Sequence, residues 1–284
     1  MAIRTVPENI RGELIELMCT VVARVTPPLI TRVYLPDPQP SPDKNAEFGV
    51  IGLADGSAGF FYAWLGETQR GLSARYQERE LVGANPADLI TLYASDNDID
   101  RSFGLAAINA ISQHLFNVSG FAPSIASDSM ASLALAPEDH IGVVGYFPSF
   151  IQRLRERGFR LTVIERKPKF VCREPGFEVT LDPNKLRFCN KVLATGAILL
   201  NDTFDSVLEY CRRADAVAVV GPTASCIPDP LFARGVHIVG GTQCVDLNGL
   251  IERARAGRSF GETARKYTIA AGGYPGVHPL LDDQ

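Results

Sequence analysis

From Glu8 to Arg24 the apolar residues Ile10, Leu14, Leu17, Met18, Val21 and Val22 fall at helical spacing. This predicts an amphipathic helix, stopped by Pro27-Pro28. Three runs of β character follow: LITRVYL, FGVIGLA and AGFFYAWL. The Pro-rich loop DPQPSPDKN joins the first two, and Asp55-Gly56, a strong hairpin signal, joins the last two. Helical spacing returns over residues 86–94, with Asn85 placed to cap and Pro86 to open the turn. A second helix over 103–117, FGLAAINAISQHLF, is apolar almost all round, which predicts burial on every side. The first half therefore reads as α+β: a helix, a small antiparallel sheet, then helices.

Residues 120–137 are rich in Ala, Ser and Pro and show little periodicity, so they read as the crossing between two domains, with a short helix around Met130. After His140 the pattern changes. HIGVVGY, RLTVIER, KVLATGAILL, AVAVVG and VHIVGG are apolar runs. Between and after them lie the helical segments FPSFIQRLRERG, TFDSVLEYCRRA, DPLFARG and DLNGLIERARAG. Strands alternating with helices of this length predict βαβ units on a parallel sheet, and continuous apolar strands predict that both faces are covered. The second half is thus expected to be a doubly wound, Rossmann-like α/β domain over 126–284, with a smaller α+β domain over 1–125.

Composition narrows the function. Hydrophobic residues make up 46% of the 284 residues, charged residues 21%, and the net charge is -4. No basic footprint for nucleic acid or an anionic membrane surface is present, and no apolar run is long enough to span a bilayer. The N-terminus lacks the apolar core of a signal peptide, so the expected compartment is cytoplasmic. Cys19, Cys172, Cys189, Cys211, Cys226 and Cys244 form no CxxC pair, and a reducing compartment keeps most of them as thiols. His114, His140, His237 and His278 show no metal-binding spacing, and no GxSxG, Walker A or HExxH motif occurs.

In a sheet of this kind ligands bind beyond the carboxyl ends of the strands, near the point where strand order reverses. Several strand ends carry suggestive residues. Gly145-Tyr146-Phe147-Pro148 is either a tight strand-to-helix turn or a backbone approach for an anion, and it is not a GxGxxG cradle. Glu165 is placed either to bind a ribose hydroxyl or to form a surface ion pair. Thr195, Asn201 and Thr203 precede a helix and either cap it or face a cleft. Gly221-Pro222-Thr223 and Gly241 leave room for a ligand. Cys226 and Cys244 both follow strand ends, where thiolates joined by Asp246 would suit a soft metal; the alternative is two buried thiols.

These segments resemble a known family. VGYFPSFIQRLRERGFRLTVIERKP, LATGAILLNDTFDSVLEYCRRADAVAVVGPTASCIPDPLFARGVHIVGG and DLNGLIERARAG resemble the "putative heavy-metal chelation" domain, and ASDNDIDRSFGLAAINAISQHLF resembles its N-terminal companion. The resemblance implies an enolase N-terminal-like first domain packed on the Rossmann-like second one. It implies a cleft between them that handles a metal ion or metal chelate of unknown identity, with no nucleotide cofactor marked. Ser95 and Asn109 are expected to cover this cleft from the first domain. Thr223 and Cys226 depart from the family pattern. Three functions stand open: binding of a metal or small anionic ligand in the cleft, an enzyme using a nucleotide or adenosyl cofactor, and a non-catalytic scaffold. The expected partner is a small molecule or metal, with a homo-oligomer allowed.

Overall fold

A computed structural model describes residues 9–36, 47–63, 65, 68–125 and 133–282. The first helix, α1 (Ile10–Val22), starts where the Asn9 side chain accepts a hydrogen bond from the Gly12 N–H at 3.0 Å. It buries Ile10, Leu14, Met18 and Val21, one face of the predicted stripe. Strands β1 (Ile30–Tyr34), β2 (Phe48–Leu53) and β3 (Ala58–Tyr62) pair antiparallel in that order, with Gly56 at φ 87° in the hairpin turn. Helices α2 (Thr68–Arg75) and α3 (Glu78–Leu81) follow, both short and polar and neither foreseen from periodicity. The stretch Pro86–Ala94 is a 3₁₀ helix rather than an α-helix, capped by Asn85 as expected. Helix α4 (Asp98–Val118) starts five residues before the apolar run, because Asn97 accepts from the amides of Ile99 and Asp100.

The large sheet contains β4 (Ser124–Ile125), β5 (His140–Val144), β6 (Arg160–Ile164), β7 (Cys172–Glu174), β8 (Phe177–Thr180), β9 (Lys191–Thr195), β10 (Ala216–Val220), β11 (Ile238–Cys244) and β12 (Ala264–Ala270). Their spatial order is β4-β12-β11-β10-β9-β5-β6-β8-β7. All neighbours from β11 across to β8 pair in parallel, as the alternation predicts. The edges β12, β4 and β7 run antiparallel to their neighbours, and the sequence pattern missed them. The protein is therefore α/β, with a small antiparallel sheet and a large mixed, mostly parallel one. The short helix expected around Met130 lies outside the described residues.

Successive residues of the parallel strands enter opposite cores, which is why these strands read as unbroken apolar runs. Val144, Val192, Ala194, Val217, Val219 and Val239 share a cluster with α1, α6 (Phe204–Tyr210), α7 (Asp229–Ala233) and α9 (Val277–Asp282). Ile141, Val143, Leu161, Val163, Leu193 and Ala218 face α5 (Pro148–Glu156) through Ile151 and Leu154. The small sheet is also covered twice. Ile51, Phe61 and Val33 pack on Phe103, Ala106 and Ala110 of α4. Val50, Phe60 and Tyr34 pack on Leu250, Ile251 and Ala254 of α8 (Leu247–Arg255). The two sheets therefore share core, and α4 lies at their junction, buried from Asp100 to Phe116.

Candidate functional site

The chain runs from β5 outward to β6, then returns to the other side of β5 to lay down β9, β10 and β11. In open α/β sheets the crevice at such a reversal lies beyond the carboxyl ends of the strands on either side, here β5 and β9. Gly145 ends β5 at φ 97°, and a Cβ there would stand 3.1 Å from Thr195 Cγ2 at the end of β9. Gly221 ends β10 at φ 128°, and a Cβ there would meet only Gly196 N at 3.9 Å, so this position opens onto free space. Two glycines in the left-handed region thus flank Thr195, a conformation that side chains rarely adopt. Gly145, Tyr146, Phe147, Thr195, Gly221 and Pro222 are half-buried, forming an accessible rim.

The walls of the rim differ in character. Tyr146 stacks on Phe170 with centroids 4.5 Å apart and planes at 15°, giving an aromatic side. Pro148 is exposed and opens α5. Glu165 ends β6, and its Oε1 accepts from the amides of Arg166 at 2.8 Å and Lys167 at 3.0 Å. That self-bonded carboxylate follows its own loop, which argues against a ribose clamp. Tyr62 of the small sheet lies within electrostatic reach: burial first, then the carboxylates of Glu47 and Glu165, push its phenol up to about 12. Tyr62 is therefore a protonated donor at neutral pH. Arg166, Lys167 and Lys169 are exposed on the adjoining segment and make it cationic.

Other expected site residues are engaged elsewhere. Thr223 is buried, and its carbonyl accepts from Asn109 Nδ2 at 3.0 Å; the same nitrogen donates to Phe60 O at 3.1 Å. Asn109 therefore ties the two sheets together, and its buried Oδ1 has no partner among the described residues. Gly241 faces the ring of Tyr267, which fills the space a ligand would need. Asn201 and Thr203 close a local turn, in which Asn201 Oδ1 accepts the Thr203 N–H at 3.3 Å. Ser95 accepts from the Asn97 amide at 3.1 Å and starts the cap of α4.

The three residues expected to bind metal do not assemble. Cys226 is fully buried in the larger core cluster, whereas Cys244 packs with α8 and the small sheet in another. Burial pushes both thiols up to about 12, and the Asp246 carboxylate adds to the rise at Cys244. A protonated thiol is a poor ligand for a soft ion. Asp246 caps α8 by accepting from Gly249 N at 3.0 Å. Among the described residues no three His, Cys, Asp or Glu side chains converge to hold a metal ion. The donor set does not fit a bare ion.

Two polar groups of α4 are prominent: His114, a hydrogen-bonded core residue as its place in the apolar helix suggests, and Arg101, which the sequence reading passed over. His114 Nδ1 lies 2.7 Å from Asp55 Oδ2, joining α4 to the β2–β3 hairpin. Arg101, one of two fully embedded charges in α4, pairs with Asp98 and sends Nη1 to Ser95 O at 3.1 Å, while its buried Nε has no partner among the described residues. Such an orphaned donor costs on the order of 1–3 kcal/mol. Arg11 of α1 pairs with Asp202, and Arg101 Nη1 stands 3.7 Å from the other oxygen of the same carboxylate. The signal available in the sequence was an arginine just before the apolar run of a helix expected to be buried on every side.

A family model described as "Putative heavy-metal chelation" matches residues 128–271, just over half the chain, and a second with the same description matches 47–112. An uncharacterised protein of Methanocaldococcus jannaschii is 28% identical over 197 residues, spanning 66% of this chain and 73% of that relative. Two crystal structures of DUF364-family proteins with unknown function are similar in fold, each with a TM-score of 0.67. The one from Pyrococcus horikoshii is 17% identical and covers 93% of this chain and 100% of its own. The one from Desulfitobacterium hafniense is 19% identical, with 92% and 100% covered.

Proposed function

The chain belongs to the family described as "Putative heavy-metal chelation", and from that premise we propose that it binds a small anionic molecule, including a metal already held in a chelate, at the rim beyond β5, β9 and β10. We read the large sheet as Rossmann-like and the α+β part as enolase N-terminal-like, with residues 1–125 and 126–284 as the two structural units. The observation that carries the reading is the pair of left-handed glycines, Gly145 and Gly221, on either side of Thr195 at the reversal of strand order. Glycine at both positions lets backbone amides approach a ligand closely, and a crevice at this point is where open α/β sheets bind. The cationic Arg166-Lys167-Pro168-Lys169 segment and the protonated Tyr62 phenol suit an anion. That no three His, Cys, Asp or Glu side chains converge among the described residues favours a ligand that brings its own metal ligands.

The test compares nickel citrate, citrate and nickel ion as additives in thermal unfolding, alongside native mass spectrometry with elemental analysis of freshly purified protein. Citrate and its complex are expected to raise the melting temperature saturably, with no such rise from nickel ion alone. Pro222→Tyr, which fills the rim from an accessible position, should abolish the rise while retaining the fold. A melting rise from nickel ion alone, or one untouched by Pro222→Tyr, overturns the reading.

A further inference from the structure

We infer that Arg11 and Arg101 form a binding site for a phosphate or carboxylate group, and that the Asp202 side chain occupies it as an internal ligand. The two guanidiniums come from different helices, α1 and α4, and both side chains are deeply covered, at 12% and 6% exposure. Burying two like charges together requires an anion between them. Their proximity shows in Arg11, whose pKa is lowered by burial and then by Arg101. The groups around them are Tyr93 and the Ser95 carbonyl from the 3₁₀ segment and its end, Asp96, Asp98 from the start of α4, and Asp202 from the loop before α6.

These anions are not equivalent. Asp98 lies three residues before Arg101 on the same helix and serves its Nη2. Among the described residues Asp202 forms ion pairs with both arginines, one oxygen toward each. It enters from the solvent side: its side chain is 60% exposed, while the arginines below are not. Its backbone sits at φ 59°, one of only two non-glycine residues with positive φ among the described residues. A carboxylate on an exposed loop, over two guanidiniums carried by separate helices, can be exchanged for an external oxyanion. Arg101 Nε is also buried without an acceptor among the described residues. A phosphate has more oxygens than a carboxylate to distribute among such donors.

The site shares no residue with the rim, and its test is independent of that reading. Calorimetric titration with inorganic phosphate at constant ionic strength compares the natural chain with Asp202→Asn, which tolerates the same backbone region. Removing the tethered competitor should tighten phosphate binding about tenfold or more, since an intramolecular group acts at high effective concentration. Adding Arg11→Met to Asp202→Asn should abolish it. A parallel titration with acetate tells whether a carboxylate serves as well as a phosphate; either anion with this variant dependence supports the site. Equal affinity in the natural chain and Asp202→Asn for both anions, or affinity that survives Arg11→Met, overturns it. Should Asp202→Asn not fold, the arginine side-chain N–H resonances of the natural chain decide: phosphate must shift the Arg101 Nε–H signal, and an unmoved signal refutes the site.

Discussion

Asp55 illustrates how a residue's chemistry is set by its neighbours. Burial opposes ionisation of its carboxyl, yet hydrogen bonds from His114 and from the amide and hydroxyl of Ser57 outweigh that, so it titrates below the ordinary value. An ionised carboxylate can only accept, so His114 Nδ1 carries the proton. A depressed folded-state pKa means that the stabilisation is present above the unfolded value, near 3.9, and is lost as pH falls through the folded value. Asp55→Asn should therefore lower the urea midpoint at pH 7, by the equivalent of roughly 1–3 kcal/mol. The difference from the natural chain should shrink towards pH 3. A difference that is constant with pH refutes the assignment. The thiols give a second residue-scale prediction. Cys19 and Cys172 are exposed, whereas Cys189, Cys211 and Cys226 are buried, and burial pushes the last three up to about 11, 12 and 12. In native protein a thiol reagent should modify Cys19 and Cys172 quickly and those three only on unfolding. Replacing Cys226 and Cys244 together by serine should leave metal content unchanged.

At the scale of elements, the close approach of β3 to α4 rests on one glycine. A Cβ on Gly59 would strike the Ala106 carbonyl and the Ala110 amide of the helix backbone, which cannot swing aside as a side chain can. Gly59→Val is expected to cost at least about 1–3 kcal/mol, and more if the helix is displaced, whereas Gly56→Val, with no neighbour within 4 Å, meets only backbone strain. Chemical denaturation of the two variants checks the order; equal losses would mean that the helix gives way. The elements legible in the sequence were those whose burial follows a period: the stripe of α1, the strands β1 to β3, and β5, β6, β9, β10 and β11. The missed elements lack that signal. Among the described side chains of α2, Leu72 is the one deeply buried apolar residue, and β7 is exposed throughout, so neither carries an apolar period to detect. Helix α4 began early because a cap, Asn97, outweighed the polar run that follows it.

For the whole molecule, the small sheet is held between α4 and α8, so the first and second halves share a core rather than meeting at a wet interface. Leu250 is fully buried against this sheet, and truncating it to alanine should cost about 2–5 kcal/mol. Hydrogen exchange should then show amides of β2 and β3 losing protection together with those of α8. Loss confined to α8 would mean that the halves unfold separately. Asn109, whose amide spans Phe60 O and Thr223 O, closes the same junction and explains why Thr223, expected as a ligand position, is covered by protein.

Local pattern by itself determined the α/β class, the parallel core, the position of the strand ends and the Gly145 and Gly221 turns, because period, caps and glycine are properties of short segments. Tertiary structure alone decided which strand ends stay open. Thr223 and Cys226 follow a strand end and are buried, and Gly241 lies inside β11 against Tyr267 of β12, while the rim at β5 and β9 stays accessible. It also brought Arg11, Arg101 and Asp202, far apart along the chain, to one point. No local signal encodes that meeting, since it depends on how α1 and α4 dock against the loop before α6, and such docking is set by packing between elements rather than within them.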